Sequence, residues 1–318
     1  FKRWVPVVEA EKTDANTAMA RFKTGSYIPV HVDPKFFIPE DASVFTIGSC
    51  FARNVENTLA ASGVDVITTR FDFDPELLLS SVGALNNRPN PRSLLNKYST
   101  QAIYSELERV LEGTNPPDRG FLEVEDGKWV DPQLAAILKP LPFDALSALR
   151  DKVEQLVLQV RDADVVFITL GLSETWFDTV SGLFLNSSPP PRLMKSAGER
   201  FEFINSSYDD CYTAIAKGIE LIRAHSRNDA SFVLTVSPVP MSTTWSSVDV
   251  ITANTYSKSL LRVVAQGLAG KHEYIDYFPS YEMVTNSPRN LAWGSDELHV
   301  APDMVNFAVS RFMASYVK

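Results

Sequence analysis

With 318 residues, 45% of them hydrophobic and 22% charged, the chain has an ordinary globular make-up and room for a full core. Its formal net charge of -9 and its lack of any Lys/Arg block exclude a broad nucleic-acid-binding face, which needs clustered cations against phosphate. Two cysteines, Cys50 and Cys211, are too few for a disulfide scaffold and point to a reducing, cytoplasmic setting; no apolar run reaches the ~18 residues of a membrane span.

Residues 1–40 are mixed and punctuated by proline, and read as an arm packed on a single α/β domain over 41–318. The opening Phe1-Lys2-Arg3-Trp4 has no signal-peptide core. Ser43-Val44-Phe45-Thr46-Ile47 is a short apolar run ending at Gly48, the pattern of a buried strand. From 51 to 61, Phe51, Val55 and Leu59 recur four apart on one helix face, and Gly63 closes the element. A second strand is expected at 64–67. Residues 70–140 form a first excursion, with a turn-rich break at 86–91, a helix over 100–111 and a small hairpin near 121–130. A strong amphipathic helix follows over 143–160, then a buried strand at 164–171. A second excursion covers about 178–205. The remaining pattern predicts a helix at 208–225, a strand at 231–236, a helix at 253–268, a strand at 274–276 and a closing helix at 302–316. Strands alternating with helices imply a parallel sheet covered on both faces.

Three segments carry chemistry. Gly48-Ser49-Cys50-Phe51-Ala52-Arg53-Asn54 places two nucleophilic side chains where a strand turns into a helix. Backbone N–H groups and the helix dipole at such a turn favour a thiolate or a developing oxyanion. The alternative is that Ser49 merely caps the helix and Cys50 fills a core position. Gly171-Leu172-Ser173-Glu174-Thr175-Trp176 leaves the carboxyl end of a buried strand, where open α/β sheets bind ligands. There Ser173 is a candidate oxyanion donor and Glu174 a substrate-binding or loop-holding group; the alternative is another helix start packed by Trp176. Asp296-Glu297-Leu298-His299 supplies the base, because a carboxylate three residues before the imidazole can bond one ring nitrogen and raise the basicity of the other. His31, His225 and His272 have no comparable carboxylate. With no His-x-x-x-His, Cys-x-x-Cys or Gly-rich phosphate loop, neither metal nor nucleotide cofactor is expected.

Together these segments resemble the SGNH/GDSL hydrolase superfamily and, within it, the GSCFA family, named for the letters at 48–52. Asn90-Pro91-Arg92-Ser93, Thr235-Val236-Ser237-Pro238-Val239 and Tyr277-Phe278-Pro279-Ser280-Tyr281-Glu282 add to the resemblance, which covers most of the chain. It implies a flavodoxin-like, three-layer α/β/α fold with insertions. It also implies ester hydrolysis or acyl transfer without a cofactor, through a covalent acyl-enzyme, on an acylated glycan or a small ester or thioester. Laid on the superfamily's Gly-Asp-Ser-Leu without gaps, the nucleophile falls on Cys50, and Arg53-Asn54 keep the register of glycan acyl-esterase relatives; Ser49 is the alternative. Ser173 occupies the place of the superfamily's oxyanion Asn, and Gly83 is the nearest counterpart of its oxyanion Gly. Gly171, Arg53, Glu174 and Trp176 complete the expected substrate side. The rival reading is a catalytically weak or inactive glycan-binding module built on the same pocket.

Overall fold

The apolar runs become the strands of one parallel sheet. In the computed structural model, which describes residues 17–79 and 90–318, helix α1 (Ala18–Phe22) precedes β1 (Ser43–Gly48), α2 (Cys50–Ala61) and β2 (Asp65–Val66). The first excursion holds α3 (Thr100–Glu112) and the hairpin β3 (Leu122–Glu125) and β4 (Lys128–Val130). Then come α4 (Phe143–Leu158), β5 (Val165–Leu170), β6 (Glu174–Asp178), β7 (Leu183–Leu185), α5 (Pro191–Ser196) and β8 (Phe201–Asn205). The chain continues through α6 (Tyr208–His225), β9 (Ser231–Val236), α7 (Val250–Lys271), β10 (Ile275–Tyr277), α8 (Ser280–Asn286), α9 (Arg289–Ala292) and α10 (Pro302–Tyr316).

The sheet runs β10–β9–β5–β1–β2, all parallel. Its central strands are covered on both sides, which is why they read as continuous apolar runs rather than as an alternation. Phe45, Ile47, Ile168 and Leu234 share one core with residues of α3, α4, α6 and α7. Val44, Phe167 and Val233 point the other way, into a core with Phe51, Val55 and Leu59 of α2 and Phe312 and Tyr316 of α10. The fold is therefore the expected three-layer α/β/α sandwich. Taken in chain order its strands lie 2-1-3-4-5, so the order reverses between β1 and β5. The crevice outside the carboxyl ends of those two strands is the place where such sheets bind ligands.

A buried charge cluster braces one wall of that crevice. Lys97 Nζ and Arg150 Nη2 both reach Glu106 Oε2 at 2.7 Å, joining the 96–98 segment to α3 and α4. Burial pushes the Glu106 carboxyl up, but Arg150 and Lys97 outweigh it and hold it down to about 2.

Several local expectations change. The strand expected at 64–67 shrinks to Asp65–Val66, because Ile67–Arg70 tighten into a 3₁₀ turn. Helix α7 starts three residues before the expected 253, where the Asp249 carboxylate accepts from Ile251 N–H. The stretch after β5 is neither loop nor helix start: Glu174–Asp178 becomes the middle strand of a second, antiparallel sheet ordered β7–β6–β8. Helices α8 and α9, of 7 and 4 residues, were not anticipated, since elements under two turns show almost no periodicity. Most of the break expected at 86–91 lies outside the described residues. Among the described residues no helix is long and apolar enough to cross a membrane.

Candidate active site

The geometry starts at Gly48. This last residue of β1 has φ +134°, a region that side chains avoid, and it pairs with Thr169 of β5. A Cβ there would fall on the Thr169 carbonyl oxygen and lie 2.8 Å from the same residue's C and N. Only glycine lets the chain turn this close under β5 and enter α2 at once. Two backbone bonds clamp the turn: Ser49 N–H donates to Thr169 O at 3.2 Å, and Lys97 N–H to Gly48 O at 2.7 Å.

Ser49 stands at the N-cap of α2, yet its hydroxyl makes no capping bond and is buried without a hydrogen-bond partner among the described residues. The simple capping role is therefore absent. Cys50 opens the helix and is half-buried; it is unbridged, as is Cys211 in the core. Burial pushes the Cys50 thiol up. The charge of Lys258, the N–H groups of Phe51 and of Cys50 itself, and Arg53 pull it down without cancelling that rise. At neutral pH this thiol needs a base.

The candidate base lies in the loop between α9 and α10. Trp293 bridges Val300, and Gly294 N–H donates to His299 O at 2.8 Å, closing the loop on itself. Inside it, Asp296 Oδ1 accepts the N–H of Leu298 at 3.1 Å and of His299 at 3.0 Å. The other oxygen meets His299 Nδ1 at 2.5 Å. Partial burial works to raise the Asp296 carboxyl, but these bonds favour the charged form and hold it down to about 2. An anion on Nδ1 fixes the proton there and leaves Nε2 as the acceptor.

Both ends of the chain meet at one cavity of roughly 590 Å³ beyond the β1 and β5 ends, lined by Ser49, Cys50, Gly171, Lys258, Leu298 and His299. The nucleophile candidates and the imidazole share this space without yet sharing a bond. Its outer wall is aromatic. Trp176 stands edge-on to Trp245 with centroids 5.2 Å apart and lies 5.5 Å from Phe203, and all three line the cavity. Glu174, also in the lining, accepts from the Thr244 hydroxyl at 2.6 Å and so holds the loop that carries Trp245. Four buried polar atoms of lining residues have no protein partner among the described residues: Ser49 Oγ, Asn96 Oδ1, Trp176 Nε1 and Ser237 Oγ.

Two expected site residues are corrected. The Ser173 hydroxyl donates to Asn205 Oδ1 at 2.8 Å, its N–H donates to Ser257 Oγ at 2.8 Å, and it does not line the cavity. Its pairing with β8 turns it away, so it is no oxyanion donor in this arrangement. Arg53 is likewise outside the lining: it pairs with Glu56 at 2.8 Å and donates to Thr46, fastening α2 to β1. Gly171 is present as a close-packed spacer, because a Cβ on it would lie 2.5 Å from Tyr98 O and 3.2 Å from Ser49 Cβ. Gly83 lies outside the described residues.

Sequence reasoning missed Asn96, Tyr98, Trp245 and Lys258, and gave Ser237 as part of a family-like segment without a role. Only Lys258 left a signal, as a charge on the face of α7 whose neighbours Leu261, Val264, Ala265 and Leu268 are all buried.

The fold and site define an α/β protein with a serine–cysteine pair at a strand end and an aspartate-held imidazole at the switch point of its sheet. The chain belongs to the GSCFA family, whose model matches residues 43–312. Similar solved structures include a Clostridium thermocellum family 3 carbohydrate esterase, at 10% identity over 86% of this chain and 94% of that one with a TM-score of 0.34. A carbohydrate esterase family 3 structure from Talaromyces cellulolyticus matches at 11% identity over 85% and 94%, with a TM-score of 0.35. No curated protein matches the sequence.

Proposed function

We propose that the protein is an acyl esterase or acyltransferase working through a covalent acyl-enzyme on an acylated glycan or a small ester or thioester. The observation that carries this is the convergence of Cys50, Ser49 and the Asp296-held His299 on one cavity. In this reading His299 Nε2 takes the proton of Cys50, the sulfur attacks the acyl carbonyl, and the imidazolium returns the proton to the leaving oxygen. Asp296 holds the ring, and the free N–H groups at the start of α2 face the developing oxyanion. Ser49 is the reserve nucleophile. The unpartnered polar atoms and the Trp176–Trp245 wall suit a hydroxyl-bearing substrate with a flat apolar face. No cofactor enters the scheme, nucleic acid has no place in it, and the unbridged cysteines fit a reducing, cytoplasmic setting.

One observation favours the rival binding module: the Ser173 hydroxyl is committed to Asn205 and cannot serve the oxyanion. Turnover of aryl acyl esters and acetylated oligosaccharides by wild type, Cys50→Ala, Ser49→Ala and His299→Ala decides. The expected result is loss of activity in Cys50→Ala and His299→Ala, with an acyl group trapped on the Cys50 peptide. Activity unchanged in Cys50→Ala, Ser49→Ala and His299→Ala alike would end the acyl-enzyme reading.

A further inference from the structure

Acyl transfer at Cys50 or Ser49 builds negative charge on the carbonyl oxygen, and donors fixed in advance must meet it. Ser173 is turned away, so a side-chain donor has to come from other residues of the cavity wall. Two buried side chains stand at the end of β5. Ser237, just past β9, sends its N–H to Leu170 O at 2.8 Å. Lys258, on α7, sends its Nζ to the next carbonyl, Gly171 O, at 2.7 Å. Gly171 in turn packs against the Ser49 turn, since a Cβ on it would lie 3.2 Å from Ser49 Cβ. The two residues are thus tied to successive carbonyls beside the candidate nucleophiles.

Each has donor capacity that the protein leaves unused. Ser237 is 1% exposed, and its Oγ has no hydrogen-bond partner among the described residues. Lys258 is also 1% exposed, and among the described residues its Nζ, with two or three N–H bonds to give, meets only Gly171 O. No carboxylate pairs with it there, whereas Arg53 meets Glu56, Lys97 and Arg150 meet Glu106, and Arg109 meets Glu154. Both Ser237 and Lys258 line the cavity with Ser49, Cys50 and His299. Burying a donor unpaired is costly, and an anion formed in front of it recovers that cost. Burial draws the Lys258 amine down to about 7, and negative charge arising beside it favours the ammonium. Of the other unpartnered lining atoms, Asn96 Oδ1 can only accept, and Trp176 Nε1 belongs to the aromatic wall on β6.

We propose that the Ser237 hydroxyl and the Lys258 amine form the side-chain half of an oxyanion hole, supplying from β9 and α7 what Ser173 cannot. This rests on the acyl-enzyme reading and holds for either nucleophile. As His299 Nε2 takes the proton of the attacking sulfur, the C–S bond forms and the carbonyl pair moves to oxygen. That oxygen accepts hydrogen bonds from Ser237 Oγ and Lys258 Nζ and takes a proton from neither. Collapse returns the pair to the C=O bond and breaks the C–O bond, while His299 gives its proton to the leaving oxygen. Both donors touch the reacting oxygen, and both are catalytic residues.

The test measures aryl acetate turnover, and Cys50 alkylation by iodoacetamide, in the whole chain as wild type, Ser237→Ala, Lys258→Met and Ser257→Ala. Alkylation displaces iodide from a saturated carbon and forms no oxyanion. Ser237→Ala and Lys258→Met should each lower kcat on the order of 10²–10³ with KM within about twofold. Ser237→Ala should still alkylate at the wild-type rate. Ser257 holds the same turn through the Ser173 N–H but lies outside the cavity lining, so Ser257→Ala should keep most of the wild-type kcat. Should Lys258→Met fail to fold, Ser237→Ala decides by itself. A kcat in Ser237→Ala within about threefold of wild type overturns the assignment and leaves the acyl-enzyme reading standing. A loss matched by equally slowed alkylation, or by an equal loss in Ser257→Ala, does the same. A wild type that turns over neither aryl nor glycan esters ends the acyl-enzyme reading, and this assignment with it.

Discussion

Replacing Gly48 by alanine tests the geometry that places both nucleophile candidates. The substitution adds one methyl group at φ +134°, directly onto the Thr169 carbonyl oxygen and 2.8 Å from the Thr169 C and N. Backbone strain in that region costs about 1–3 kcal/mol. Relieving the clash means prising β1 from β5, an overpacking cost of about 1–3 kcal/mol more. The sum, roughly 2–6 kcal/mol, is a large share of the ~5–15 kcal/mol that holds a typical domain together. Gly63→Ala is the control, because φ there is also positive, at +89°, but a Cβ meets nothing within 4 Å. It should show the strain term alone. Thermal and urea unfolding of the three proteins should place Gly48→Ala lowest, by roughly 5–15 °C in Tm relative to wild type, with Gly63→Ala in between. Because Ser49 N–H bonds the same Thr169 oxygen, surviving Gly48→Ala protein should also alkylate at Cys50 with an altered rate. A Gly48→Ala protein as stable as Gly63→Ala would refute the close approach of the turn to β5.

Three further outcomes follow from particular contacts. Asp296→Asn keeps the shape of the 294–300 loop but removes the anion on His299 Nδ1; ester turnover should fall on the order of 10²–10⁴, with a modest loss of Tm at neutral pH. The Asp296 carboxyl sits at about 2, below the ordinary ~3.9, so the stability that its bonds give is whole above about pH 4 and lost as the pH falls toward 2. Glu106→Gln leaves Lys97 buried without its paired anion, while Arg150 keeps Asp131 and Glu154, and should cost about 3–5 kcal/mol in urea unfolding at neutral pH; in wild type the same loss should develop between about pH 4 and 2 as Glu106 protonates. Trp245 is 52% exposed at the cavity mouth, so Trp245→Ala should raise KM for a glycan ester several-fold while leaving Tm and Cys50 alkylation as they were.

Local patterning carried much of this protein. The runs 43–47, 164–171 and 231–236 had to be strands, because each is apolar, short and bounded by turn residues, and a strand covered on both faces needs no polar alternation. The pair Asp296 and His299 was legible for the same local reason: three residues of separation in a Gly-containing loop is enough for one side chain to reach the other. The 208–225 helix was legible in the sequence, and the structure adds a Ser207–Asp210 capping box at its start. What needed the folded chain was everything settled by distant partners. Ser173 occupies the position a family pattern gives to an oxyanion donor, yet strand β8 arrives from 32 residues away and takes its hydroxyl with Asn205. Arg53 sits in the nucleophile motif and still serves the core, because Glu56 lies one turn on in the closed interior. Lys258 carries no motif at all; only the docking of α7 on β9 and β10 sets its amine against the Gly171 carbonyl at the cavity. A sequence fixes which surfaces are apolar and which neighbours within a turn can touch, since both depend on chain geometry within a few residues. Which polar atoms end without a partner and line the cavity depends on contacts closed across the whole chain, and those exist only once it has folded.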